Sequence, residues 1–548
     1  MYSAMKNYLH LVVATLVFVA CNGVDESSVS GANDDEKDKK NISKRDYSIT
    51  PALAYSDLFL DSMKVEDFIK NNEEADSVAR RMRSFYNARN YQFAWFSSDG
   101  LNEQTYGFWN LLDHYTTYSD DSSLTNKTLK KRIDRWMLED NLSISASNNT
   151  SIETELLLTM YMIKYMLKNY EKGFIKRKEL ERFVPIKKTR AFELGDSLYN
   201  KKHKDDKYFE DISEPYRLLK EQLGKYLEIS KKGGWRQLTS LKKPLKKGSS
   251  SPELAKVKQH LFLTGDLQIN DTSSVFNDTL ENALQSFQQR HGLTPSGQLG
   301  PETIKELNIP VDTRVRQILI NMDRMRWMPS QPDGNLILVN IPEFELHVME
   351  GKKKAFDMKI VVGKEGHNTM MFTKTLNQIV FSPYWNVPPN IVKDEILKEI
   401  AKDPDYLEKE QMEVIGEEDG IPDIRQKPGS KNALGKVKFL FPNSYNIYFH
   451  DTPQKSLFSK DKRAFSHGCI RIAEPEKMAR YLLRNDSDWD VTRIQQAMNS
   501  GKEKYVKLKD PVTVFITYFT AWVDEQGRLN FREDIYDHDL QMSKKMFL

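Results

Sequence analysis

The apolar residues of this chain change their spacing near residue 330, and that change sets the kind of fold open to it. Before it, they recur at intervals of three and four. Leu219, Leu223 and Leu227 form one such set, and Leu280, Leu284 and Phe287 another. This is the pattern of helices that bury one face. After it, the period is two. The runs LILVNIP, ELHVMEG, KKAFDMKIVVG and NQIVFSPYW read as strands. Glu350-Gly351 sits between two of them, where a hairpin turn belongs. Helices followed by strands point to an α+β chain. A length of 548 residues exceeds one hydrophobic core, so two to four domains are expected.

Punctuation along the chain divides it further. Lys6, an apolar run from Leu9 to Ala20, and then Cys21 describe an export signal. The run is too short for a membrane-spanning helix. Phe18-Val19-Ala20-Cys21 resembles a bacterial lipobox, so residues 1–21 read as a lipoprotein signal peptide with Cys21 lipidated. Plain secretion and an uncleaved anchor are the alternatives. Residues 22–50 are polar, charged and poor in aromatics, and are expected to form a disordered tether. Residues 51–248 read as a helical scaffold domain without a catalytic cluster. Its Lys-, Gly- and Ser-rich end, from Ser230 to Ser251, reads as a linker. Residues 252–310 form a compact unit: a helix closed by His291-Gly292, a turn at Gly297, Gly300 and Pro301, and a short helix from Thr303 to Leu307.

The last unit, 311–540, opens with a helix over Arg314–Trp327 and continues in strands. KVKFLF and YNIYFH carry the pattern on, and PVTVFITYFTAWV with RLNFRED suggests a closing hairpin. An insertion at about 390–435, charged and helical early and loop-like later, interrupts the strands. Segments of that length inside a β domain often act as lids. The charge balance, 81 basic against 78 acidic residues, gives no footprint for nucleic acid.

The chain holds two cysteines, Cys21 and Cys469. With Cys21 lipidated, Cys469 has no disulfide partner, and a lone thiol in an oxidising compartment is a liability unless it has a use. Its neighbours suggest one. His450-Asp451-Thr452-Pro453 precedes Ser466-His467-Gly468-Cys469-Ile470-Arg471, with fifteen residues between His450 and Ser466. Thiol acyl transfer needs a base near the sulfur, and imidazole titrates near neutrality. His450 ends one strand and Cys469 begins another, so neighbouring strands could bring them together. Gly468 permits close approach and leaves main-chain N–H groups for an oxyanion. Two other readings stand beside this. His450, His467 and Cys469 could hold zinc, although one thiol and two imidazoles lack the usual supporting ligands. Cys469 could also be an inert core thiol. No metal or cofactor is expected.

The pattern H-x15-S-H-G-C-I-R resembles the signature of L,D-transpeptidases with a YkuD-type catalytic domain. The string FQQRHGLTPSGQLGPETIKEL resembles the small three-helix peptidoglycan-binding domain. YQFAWF near 91–96, VNIP, VVG, Trp385-Asn386-Val387-Pro388-Pro389, IYFHDTP and ITYFTAW are similar to the large periplasmic YcbB-like subfamily. The resemblance implies a multidomain α+β protein: a helical scaffold, a peptidoglycan-binding domain, and a mostly-β catalytic domain with a capping insertion. It implies a peptidoglycan L,D-transpeptidase that attacks a stem tetrapeptide through a cysteine acyl-enzyme, releases D-Ala and forms 3→3 cross-links, with water, a free D-amino acid or a lipoprotein lysine as the other acceptors the sequence leaves open. Cys469 would be the nucleophile and His450 its base. The Asp451 carbonyl would orient the imidazole, and Gly468 and Cys469 N–H groups would hold the oxyanion with Tyr448 as helper. His467 belongs to the signature as a positioning residue. Arg471 and Ser466 are candidates for substrate contact. Trp385 and Asn386 fall where they would line the cleft, a structural role for Trp385 being the alternative. Carbapenem-type inhibitors would acylate Cys469. The protein would sit in the periplasm, lipid-anchored, the outer membrane suiting Asn22 and Gly23 better than the inner. A non-catalytic, wall-binding envelope lipoprotein is the competing reading.

Overall fold

The computed structural model describes residues 42–119, 121–139, 142–169, 177–200, 213–241, 243–329 and 334–548. Cys21 and the signal-peptide reading lie outside these residues, as does most of the expected tether. The tether's last stretch, 42–50, is docked rather than free. The Ser43 N–H donates to Ser84 Oγ at 3.0 Å, the Ser43 hydroxyl donates to Glu181 at 2.5 Å, and Ile49 is buried. Polar composition alone does not register these partners.

The chain folds as a helical N-terminal scaffold, a small helical domain and a mostly-β C-terminal domain. The scaffold core is built on Asn149–Asn169, a helix apolar on nearly every side and correspondingly buried on nearly every side. One polar group is needed inside it. The Glu155 carboxylate accepts from the N–H groups of Ala94 and Trp95 at 2.7 and 3.1 Å, closing an extended segment that has no ladder of its own. Burial pushes that carboxyl up to about 7, against the pull of those two N–H donors.

This core reaches further along the chain than the sequence pattern suggests. The helix Val311–Met325, expected to open the β domain, buries Val315, Ile318, Leu319 and Met322 among the scaffold helices. The run PVTVFITYFTAWV is not one strand of a hairpin. It breaks at Tyr518–Thr520: its first part stays in the main sheet, and Ala521–Val523 pairs with Leu529–Phe531 against the helical core. The Ser230–Ser251 segment is likewise no loose linker. Leu238 is buried in the core of the small domain, and Trp235 stacks on His260 at 4.1 Å.

The β domain carries nine strands in its main sheet: β1 (Asn335–Asn340), β2 (Glu345–Glu350), β3 (Lys353–Gly363), β4 (Phe372–Phe381), β5 (Val437–Leu440), β6 (Phe449–His450), β7 (Ala464–Ser466), β8 (Ile470–Ile472) and β9 (Lys504–Thr517). Their order is β7-β3-β8-β6-β5-β4-β9-β1-β2, and β2 also pairs with β3, so the sheet closes on itself. Closure removes the free edges that an open sheet would expose. Alternate residues of these strands (Ile337, Val339, Ile379, Phe381, Phe439, Phe449, Ile470, Ile472) fill one core. The scaffold helix Glu103–Tyr118 lies across β4. Asn110 accepts from the Thr373 N–H at 2.7 Å, and Asp113 pairs with Lys374.

Between β4 and β5 the chain leaves the barrel as the insertion. It forms a three-stranded sheet of Trp385–Asn386, Met412–Glu418 and Ile421–Gln426, with short helical turns from Pro389. Val387, Ile391, Val392, Ile396 and Ile424 give it a core of its own.

Three units meet at Phe531. Its ring lies 5.7 Å from Tyr226 of the scaffold and 5.4 Å from His291 of the small domain, with the Arg314 guanidinium over it at 4.4 Å. Phe531→Ala is expected to lower unfolding free energy by about 3–5 kcal/mol, as for a fully buried ring. An unchanged thermal transition would show that the junction carries no stability.

Candidate active site

The parallel pairing of β6 with β8 builds the site. Phe449 pairs with Ile470 and His450 with Arg471. Side chains alternate across a sheet, and partners in register share a face. Phe449 and Ile470 therefore point into the core, where both are fully buried. Tyr448, His450, Cys469 and Arg471 share the other face. The Tyr448 and His450 rings are 5.8 Å apart.

His450 is held in one tautomer. Its Nδ1–H donates to the Asp451 carbonyl at 2.5 Å, which leaves the lone pair on Nε2. Desolvation, with help from the nearby Arg471 charge, lowers its pKa to about 3, so the imidazole is neutral at physiological pH, with Nε2 unprotonated. The Asp451 carboxylate fixes the loop from below. It accepts from the N–H groups of Lys436 and Thr452 at 2.9 and 2.7 Å and from Lys455 Nζ at 2.5 Å. Gly435 makes room for it: at φ +61°, a Cβ there would lie 2.4 Å from Asp451 Cγ.

Cys469 is a free, half-buried thiol. It donates to the Asn446 carbonyl at 3.5 Å, and among the described residues no hydrogen bond joins it to His450. Desolvation pushes the thiol up to about 11; the Tyr448 N–H and hydroxyl pull the other way, as does Arg471. At rest the face thus carries a neutral thiol and a neutral imidazole. Tyr448 emerges as the group that meets the sulfur directly. Burial, and then the thiolate charge, raise its own pKa.

The turn before Cys469 corrects two expectations. The Gly468 N–H, expected to face an oxyanion, donates to Ser466 Oγ at 3.2 Å. Ser466, expected at the substrate, is buried and donates to the Cys469 carbonyl at 2.5 Å. It locks the turn instead. Gly468 itself stands at φ +107°, a conformation other residues rarely adopt. Its carbonyl accepts from the Thr369 hydroxyl at 2.8 Å. In a planar trans peptide the Cys469 N–H points the opposite way. No hydrogen-bond partner takes it among the described residues, so it is the main-chain donor left for an oxyanion.

The remaining expected residues are spread out. Arg471 donates from Nη1 to Gln454 at 2.6 Å, while its Nε is buried without a partner. His467 donates from Nε2 to Glu395 of the insertion at 2.8 Å and packs on the His367 ring at 4.8 Å. Trp385 packs against the insertion's own core, and Asn386 is exposed on its short strand. Thr369, Tyr536 and Asn446 were not expected. Tyr536 donates to the Gly363 carbonyl at 2.6 Å and accepts from the Thr369 N–H at 3.3 Å, bracing the loop that grips Gly468. Isolated polar residues far apart in sequence carry no local signal of such a role.

Glu345, His347 and Asp357 lie close enough to share a cation. His347, however, gives one ring nitrogen to Asp357 at 2.7 Å and the other to Glu343 at 3.1 Å. Against desolvation, these carboxylates raise its pKa to about 10. An imidazolium is no metal ligand, and the cluster reads as an internal ion network.

A thiol raised to about 11 forms thiolate only on the alkaline side. Alkylation of Cys469 by iodoacetamide should therefore rise about tenfold per pH unit between pH 7 and 9, following the thiolate fraction. A plateau below about pH 7.5 would instead mean a resting thiolate–imidazolium pair.

Comparison with known proteins places these features. Residues 334–514 match the family described as "L,D-transpeptidase catalytic domain" (YkuD), residues 80–223 a "Scaffold domain", and residues 250–307 a "Putative peptidoglycan binding domain". A curated "Putative L,D-transpeptidase" of Haemophilus influenzae is 28% identical over 292 residues, which cover 50% of this chain and 58% of that relative. The chain thus spans little more than half the length of that relative. Among solved structures, an L,D-transpeptidase from Mycobacterium smegmatis is 15% identical over 33% of this chain and 58% of its own, with a TM-score of 0.18. An L,D-transpeptidase from Stackebrandtia nassauensis is 13% identical over 51% of this chain and 97% of its own, with a TM-score of 0.23. The match to the L,D-transpeptidase catalytic domain model, residues 334–514, takes in every residue of the site just described except the bracing Tyr536.

Proposed function

We propose that the protein is a peptidoglycan L,D-transpeptidase working through a Cys469 acyl-enzyme. The observation that carries this reading is the shared face of β6 and β8. There a neutral imidazole with its Nδ1 proton committed to Asp451 stands on the same surface as the lone free thiol among the described residues.

The steps follow from that arrangement. His450 Nε2 takes the thiol proton as the sulfur bonds to the carbonyl carbon of the third residue of a stem tetrapeptide. The oxyanion so formed meets the Cys469 N–H and the Tyr448 hydroxyl. Collapse breaks the C–N bond to the terminal D-Ala, whose amine takes the proton back from His450, leaving a thioester. The side-chain amine of a second stem attacks that thioester and passes its proton to His450. The C–S bond then breaks, the thiol is restored, and a 3→3 cross-link remains. The unpartnered Nε of Arg471 suits a donor carboxylate entering this face. The match at 250–307 supports a second grip on the wall.

With tetrapeptide-rich sacculi and purified protein, Cys469→Ala is expected to abolish 3→3 dimers. His450→Ala should slow acylation by about 100- to 10,000-fold. A carbapenem should leave its mass on Cys469. Dimer formation by Cys469→Ala would refute Cys469 as the nucleophile, and no adduct on folded protein would leave a wall-binding lipoprotein as the better reading. Anchoring through Cys21 on the periplasmic side of a membrane, the outer one by preference, belongs to the same proposal. Cys21→Ser should release the protein from the membrane fraction, and its retention there would overturn the anchor.

A further inference from the structure

The insertion is joined to the barrel at two places of unequal width. At its neck, the Tyr384 N–H donates to Glu503 at 3.0 Å and Asn432 Nδ2 donates to the Pro383 carbonyl at 3.0 Å. Beyond the neck, residues 385–431 hold together by their own sheet and their own small core. Beyond the bonds that neck residues Asn432 and Ala433 make to Gln426, Lys427 and Gly429, one hydrogen bond among the described residues joins this stretch to the rest of the chain: His467 Nε2 to Glu395, at 2.8 Å.

The position of that bond matters. Glu395 stands on a π-helical turn, Val392–Ile396, whose Val392 and Ile396 face the insertion's core. Such turns are uncommon and recur at functional places. His467 immediately precedes Gly468, and its ring lies against His367, in the loop whose Thr369 grips the Gly468 carbonyl. A pull at Glu395 is therefore felt two residues from the nucleophile. A body with its own core on a narrow neck moves as a unit, and its free end needs one fastening to stay near the cleft.

We propose that Glu395 is a positioning residue: from the insertion it latches onto His467 and holds the insertion against the turn that carries Cys469. The inference deepens the transpeptidase reading, on which its role in turnover rests. The side chains are 49% and 26% exposed, so the pair is solvent-screened and weak. Weakness suits the task, because peptidoglycan strands must enter and leave at every turnover.

The test uses the full chain with two readouts that need no turnover. One is hydrogen exchange of residues 389–402. The other is iodoacetamide alkylation of Cys469, followed on its own peptide. Glu395→Ala is expected to speed both by about two- to five-fold, the range open to one exposed ion pair. Glu395→Gln, which keeps an acceptor for His467, should recover most of the wild-type rates. With the tetrapeptide donor, Glu395→Ala should raise KM more than it lowers kcat. Exchange and alkylation unchanged in Glu395→Ala would overturn the latch. If both respond while the wild type forms no acyl-enzyme, the latch stands and the transpeptidase reading falls.

Discussion

Two register pairs in a parallel ladder, Phe449 with Ile470 and His450 with Arg471, set the geometry of the candidate site. Shifting either short strand by one residue would turn the histidine and the thiol to opposite faces. The register is held from both sides. Phe449 and Ile470 are fully buried and cannot exchange places with polar neighbours at tolerable cost. Barrel closure keeps β8 between β3 and β6, so neither strand has an edge along which to slip. The face proposed as catalytic is in this sense a by-product of the core face behind it.

The arrangement on that face is governed by desolvation. Burial removes charge from both candidate partners, lowering the imidazole pKa to about 3 and pushing the thiol up to about 11. A neutral pair at rest keeps the sulfur less open to oxidation, because the thiolate is the reactive form. On the proposed acyl-transfer reading, charge develops only as a carbonyl arrives at the face that carries Tyr448, Arg471 and the Cys469 N–H. Such donors stabilise charge without reorganising at the moment of reaction.

Much of this was legible in the sequence, for reasons that can be named. The change of apolar period near residue 330 reports the passage from helices to strands, because periodicity follows burial directly. His450, Asp451 and Cys469 were legible because a resemblance concentrates its signal on a few residues at fixed spacing. Ser466 and Gly468 sat in the same signature, yet their roles were misassigned: spacing does not say which way a peptide N–H points. Thr369, Tyr536 and Gly435 act by touching residues far away in the chain, and no local pattern carries that. The domain edges blurred for a similar reason. Val311–Met325 and Ala521–Val523 look like parts of the β domain by position, and join the helical core by packing. Residues 42–50 looked disordered by composition, and find their partners in Ser84 and Glu181.

The last residues of the chain close back upon the first helical unit. The Leu548 N–H donates to the Thr189 carbonyl at 3.1 Å, the Thr189 N–H donates to Met546 at 3.0 Å, and Lys545 Nζ reaches Ser97 at 2.8 Å. Met542, Met546 and Phe547 complete the scaffold's interior. The scaffold therefore cannot mature as it emerges from the ribosome. It must wait, with part of its apolar interior open, until the barrel and the residues after it have followed. Contacts of such long sequence separation form slowly. A chain built this way gains from being kept unfolded until Met542, Met546 and Phe547 have been made.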